Sequence, residues 1–164
     1  MLAGTCLGAG LGVALLLVQA APVQAGGPDN AAGNAALVRA AFDDWRDGNG
    51  SVFDLLHENV VWTVAGGSPV SGTYGSRKAF MDHAVVPINA RLATPITPQV
   101  QHVVAQGDAV VVVWEGRATS VSGADYRNHY AWHMRLRDGE VVEVIAFLDT
   151  WVLQALMAPA TAGR

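Results

Sequence analysis

Apolar side chains recur at helical spacing in the first half of the chain and alternate with polar ones in the second. Ala35, Leu37, Val38, Ala41, Phe42 and Trp45 predict an amphipathic helix that stops at Asp47-Gly48-Asn49-Gly50. Gly26 to Gly33 ahead of it reads as a flexible lead. Ser51 is placed to cap a second, short helix with Val52, Phe53, Leu55 and Leu56 on its apolar face. Asn59 to Ala65 is rich in β-branched residues and reads as a strand, broken by Gly66-Gly67-Ser68-Pro69. After the turn-rich Val70 to Gly75, Ser76 opens a helix through Val85 that Pro87 kinks or ends. From Ile96 onward the pattern is one of strands: Thr97 to Ala105, Ala109 to Val121, Tyr126 to Arg137 and Glu140 to Leu148. The separators are turn chemistry, and Asp138-Gly139 is a tight-hairpin signal because glycine tolerates positive φ. Helices followed by an antiparallel meander predict an α+β fold, a cone-shaped curved antiparallel sheet packed against N-terminal helices. The space between them is where a ligand would bind.

Length and charge narrow the partners. The 164 residues suit one domain, and a formal charge of −4 with no basic block disfavours nucleic acid. Nothing before Asp29 is charged, and Leu7 to Ala21 is almost wholly apolar or glycine, which marks a targeting segment. Val23-Gln24-Ala25 suits cleavage after Ala25, although the leader lacks the usual Lys or Arg. The expectation is a signal peptide over 1–25, a lead over 26–34, a domain over 35–156 and a disordered tail over 157–164. The mature protein would then be secreted or lie in the periplasm or cell envelope, meeting a membrane only if the leader stays uncleaved. Cys6, the sole cysteine, lies in that leader, so stability would come from the core and not from disulfides.

The strand pattern nominates a pocket. On the last strand Ile145, Phe147, Asp149 and Trp151 share a face by period two, which sets a carboxylate among large apolar groups. Desolvation raises a carboxyl pKa and makes Asp149 a candidate catalytic base, with Phe147 beside it as a substrate contact. The competing reading is that Asp149 caps the segment from Thr150 to Met157. One strand earlier Asn128, Tyr130, Trp132 and Met134 share a face; Asn128 and Tyr130 are candidates to hold a carbonyl or hydroxyl, and Trp132 supplies an apolar surface. Trp62, in register with Val60 and Val64, closes the same pocket from the first strand. His129 and His133 lie about 13 Å apart on a strand, so they form no metal site. No phosphate loop, nucleophile elbow or zinc signature is present, so no cofactor is expected.

Val60-Val61-Trp62-Thr63, Gly66-Gly67-Ser68-Pro69-Val70-Ser71-Gly72, Gly107-Asp108-x-Val110, Tyr126-x-Asn128-x-Tyr130-x-Trp132, Arg137-Asp138-Gly139-x-Val141-x-Glu143 and Phe147-Leu148-Asp149-Thr150 occur in that order. Together, over Ala35 to Leu156, they resemble the SnoaL-like, ketosteroid-isomerase-related branch of the nuclear-transport-factor-2-like superfamily. The resemblance implies a cystatin-like α+β roll, a homodimer and a pocket for a small apolar molecule. It also implies that an acid at the position of Asp149 works as a base in cyclases and epoxide hydrolases of this kind. The positions matching the ketosteroid isomerase acids fall near Thr63 and Trp132, neither acidic, and the Arg-x-Asp pair of the epoxide hydrolases is replaced by Val113-Trp114-Glu115-Gly116. Two readings stay open: an isomerase, cyclase or hydrolase acting through Asp149, or a non-catalytic ligand-binding or dimeric interaction module.

Overall fold

A computed structural model describes residues 28–158 of the chain. The leader, its cleavage site and the tail after residue 158 lie outside the described residues. Among those described, no helix is long and apolar enough to cross a membrane.

Helix α1 spans Pro28–Asp47, so the segment expected as a flexible lead is helical from Pro28. Ala31, Ala32, Ala35 and Ala36 are strong helix formers, and Asn34 donates its side-chain N–H to the Gly107 carbonyl at 3.2 Å, tying this first part to the sheet. Ser51 then caps a 3-10 turn at Val52–Leu55, with Asp54 reaching back to the Ser51 backbone N–H. β1 (Leu56–Val64) and β2 (Gly72–Tyr74) follow, the latter a short edge strand where the sequence suggested only turns. Ser76 caps α2 (Arg77–Phe80) through the Ala79 N–H at 3.1 Å. A π-helical turn, Met81–Val85, leads without a break into α3 (Val86–Asn89), so helical backbone continues past Pro87 with the π turn just before it. β3 (Thr97–Gln106), β4 (Ala109–Thr119), β5 (Asp125–Arg137) and β6 (Glu140–Leu148) precede α4 (Thr150–Met157). Asp138 and Gly139 both take positive φ, 53° and 83°, as the tight turn between β5 and β6 requires.

The six strands form one sheet in the order β2-β1-β6-β5-β4-β3. The meander is antiparallel as expected, but β6 runs parallel to β1, so the sheet is mixed. Two separate antiparallel units, β1–β2 and β3–β6, are thereby joined edge to edge with the intervening helices on one face. α1 packs across β3 and β4, and α2 packs on β1. Between helices and sheet lie Val38, Phe42, Val60, Val110, Val112, Trp114, Met134 and Val144, all almost fully buried. Gly116 sits beneath this layer: a Cβ there would come within 3.0 Å of Ile96, Trp114 and Tyr130, so only glycine lets β4 pass below the stacked rings.

The opposite face of the sheet carries His129, Ala131, His133 and Arg135 of β5. Glu115 is buried on that face, accepting from Arg127 at 2.5 Å and from Arg117. These two guanidiniums, Arg127 foremost, hold its carboxyl below the ordinary carboxylate pKa.

Candidate functional site

The concave side of the sheet and the helices line a half-open cavity of about 840 Å³. Its wall carries eight aromatic side chains: Trp45 from α1, Phe53 from the 3-10 turn, Trp62 from β1, Tyr74 from β2, Phe80 from α2, Trp114 from β4, and Tyr130 and Trp132 from β5. Period-two alternation brings Trp62, Trp114, Tyr130 and Trp132 to one face, and helical spacing turns Trp45 and Phe80 toward them. Trp62 stacks on Phe80 at 3.9 Å with planes 15° apart, and Trp114 on Tyr130 at 4.0 Å and 9°. Trp132 stands edge-on between the stacks, 4.9 Å from Trp62 and 4.8 Å from Trp114. Met81, His83, Ile88 and Asn89 from the π turn and α3 line the other wall, with Leu153, Gln154 and Met157 of α4. No carboxylate lines the cavity among the described residues.

Three sequence candidates, Trp62, Tyr130 and Trp132, are therefore in the wall. Asn128 is fully buried behind it: its Oδ1 accepts from the backbone N–H of Asp149 at 3.1 Å and of His129 at 2.7 Å, while its Nδ2 donates to the Asp149 carbonyl at 3.0 Å. It fastens the start of α4 to β5 instead of touching a ligand. The same Nδ2 lies 3.3 Å from the Tyr126 hydroxyl, which is 2.7 Å from the hydroxyl of Tyr130. Burial pushes both phenols above their ordinary pKa, Tyr130 well above, so both stay protonated at neutral pH.

Phe147 and Asp149 require correction. Pairing of Trp132 with Ala146 and of Tyr130 with Leu148 turns Ala146 and Leu148 inward, which sends Phe147 to the outer face, 53% exposed. Alternation along β6 is as expected, but the face given to the pocket is the opposite one. Bulk misleads here, because a hollow interior needs the small Ala146 beside the large Trp132. Asp149 is exposed and caps α4, accepting from the N–H groups of Trp151 at 3.0 Å and Val152 at 3.2 Å. The desolvated base expected at this position is absent from the cavity, and the capping alternative describes what Asp149 does. Asp149→Ala is expected to cost about 1 kcal/mol of stability in chemical denaturation, the usual worth of such a cap.

Sequence reasoning missed Tyr126, Trp114 and His83. Tyr126 was within reach, since it stands four residues before Tyr130 on one strand face. His83 gave no signal beyond sharing a helical face with Phe80, and it lines the cavity from the π turn.

A family profile described as SnoaL-like domain matches residues 38–144, from the second half of α1 to the middle of β6. The chain belongs to the SnoaL-like domain family. Solved structures of similar shape include an NTF2-like protein from Burkholderia pseudomallei K96243, 19% identical over 77% of this chain and 98% of that one, TM-score 0.64. Another is a candidate SnoaL-like polyketide cyclase from Jannaschia sp. CCS1, 20% identical over 83% and 99%, TM-score 0.61. A third is TerC co-crystallised with polyporic acid, 20% identical over 76% and 97%, TM-score 0.61. At these identities the likeness is one of fold, and the SnoaL-like domain described here has the NTF2-like α+β architecture. A comparison with curated proteins gave no match.

Proposed function

We propose that this SnoaL-like domain binds a small, uncharged, largely apolar molecule in the aromatic cavity and does so without Asp149 chemistry. The observation that carries the reading is the wall itself: eight aromatic rings around about 840 Å³, with no carboxylate among the described lining residues. Such a space is within the usual size of ligand pockets, and a charged guest would lose its hydration with no partner ion. The co-crystallisation of TerC with polyporic acid supports small-molecule binding on this fold. Export through the Leu7–Ala21 run belongs to the reading, supported by the apolar stretch and the Val23-Gln24-Ala25 that follows it. So does a homodimer through the outer sheet face, supported by exposed Val104 and Phe147 on that face.

N-phenyl-1-naphthylamine, an uncharged dye that fluoresces in apolar surroundings, tests the binding reading. Titration into the purified chain should give saturable enhancement. Leu148→Trp, which adds bulk to the wall, should weaken it at least about tenfold, a loss of about 1.4 kcal/mol. Asp149→Asn should leave dye binding unchanged. Absence of saturable binding, or a loss confined to the Asp149 variant, would overturn the reading.

A further inference from the structure

Among the described residues that line the cavity, Tyr74, Tyr130 and His83 carry titratable groups. Burial holds the Tyr130 phenol protonated, and a phenol in water gives up its proton only at about pH 10. Imidazole is the one of these groups that takes up and releases a proton between about pH 5 and 8. The setting of His83 suits such an exchange. Phe80, Met81, Ala84 and Val85 line the cavity on either side of it, yet His83 is itself exposed, so it borders both the guest space and water. No described group hydrogen-bonds either of its ring nitrogens. The charged groups near it are engaged elsewhere: Asp82 turns away from the cavity and pairs with Lys78, and Arg91 donates to the Ala158 carbonyl at 3.4 Å. α4, which lines the same cavity, carries no charged residue. The turn that carries His83 is π-helical, a rare form found mostly as single turns and often at functional sites.

Resting on the binding reading above, we propose that His83 is the proton acceptor of this cavity: it takes a proton from an acidified C–H of an uncharged aromatic guest lying against the aromatic wall. The electron pair left on carbon moves into the guest's own electron-withdrawing group. The imidazolium then passes the proton to water on its exposed side, so no further reactant is consumed. Holding the C–H beside the base turns an encounter in solution into a step within one complex, which is where the cavity gains its rate. The acceptor stands on the helical wall, where neither the sheet nor Asp149 supplies one.

5-Nitrobenzisoxazole, which is flat, uncharged and aromatic, tests this. When a base takes its ring C–H proton, the C–H electron pair becomes the third bond of a nitrile and the N–O bond breaks with its pair on oxygen. The cyanonitrophenolate product is followed by its absorbance. The purified chain should give a saturable rate at least about a hundredfold above that of free imidazole at the same concentration, within the usual reach of a positioned base. N-phenyl-1-naphthylamine should compete with the reaction, and the rate should rise with pH as the imidazole loses its proton. His83→Gln should lower the rate at least about tenfold while leaving dye binding unchanged, which separates loss of the base from loss of the cavity. His129→Gln, on the outer face of the sheet, should keep the full rate. A rate no greater than that of free imidazole, a rate untouched by His83→Gln, or an equal loss in His129→Gln would overturn the proposal while leaving the binding reading standing. Loss of dye binding together with activity in His83→Gln would overturn it too, since His83 would then only shape the wall. Failure of the dye to bind the unaltered chain would bring down the binding reading, and this inference with it.

Discussion

Trp132→Ala is expected to lower the unfolding free energy by about 3–5 kcal/mol, the largest loss from any single side chain of the cavity wall. Trp132 meets Trp62 and Trp114 edge-on and lies within 6.3 Å of Phe42, Trp45, Phe53 and Tyr130, measured between ring centroids. It meets both stacks as well as Phe42 and Trp45 of α1. Removing it joins its volume to a cavity already present, and the neighbouring rings cannot collapse inward without parting from their own stacks. Domains of this size are stable by about 5–15 kcal/mol in all, so the variant would lie near the threshold of folding. Urea denaturation followed by far-ultraviolet circular dichroism measures the loss, with Trp132→Phe as a control that keeps an aromatic body and should retain most of the stability. A loss below about 1 kcal/mol would show that the sheet and helices stand without this contact.

Asn128→Ala should cost nearly as much, about 3 kcal/mol, for a different reason. The substitution removes an acceptor from two backbone N–H groups and a donor from the Asp149 carbonyl and the Tyr126 hydroxyl, and the Asn128 side chain that serves them is itself fully buried. Each buried group left unpaired costs about 1–3 kcal/mol, and local relaxation recovers part of the sum. The damage should concentrate at α4, whose N-cap residue Asp149 would lose its tether to β5, so hydrogen exchange of the α4 amides should rise more than that of β4. Asn128→Asp separates the two halves of the effect. It keeps the acceptor but sets a buried carboxylate against the Asp149 carbonyl, which raises the carboxyl pKa in the folded state. A group whose folded pKa exceeds its unfolded one binds protons more tightly when native, so this variant should gain stability as pH falls below that raised value and lose it as pH rises. Equal exchange at α4 and β4 in Asn128→Ala would contradict the tethering role.

Local chemistry determined most of the elements. Ser51 and Ser76 cap the turns predicted for them, Asp138-Gly139 makes the β5–β6 hairpin, and the β3 to β6 meander agrees with the alternation of apolar side chains. Trp62, Tyr130 and Trp132 reached the cavity because each alternates in phase with aliphatic residues on its own strand, a pattern a single segment can show. Order and spacing of short motifs were likewise enough to place the chain in its family.

Tertiary structure alone decided which face of β6 looks inward. Alternation defines two faces and cannot say which is buried when both carry apolar residues; pairing with Trp132 and Tyr130 turned Ala146 and Leu148 in, and Phe147 and Asp149 out. It decided the parallel union of β1 with β6, since strand pairing between distant segments leaves no mark in either one. It decided the role of Asn128 as well, because whether a buried amide meets a guest or a backbone depends on what packs behind it. A hollow interior is a property of how elements fail to fill space, and no one segment encodes that.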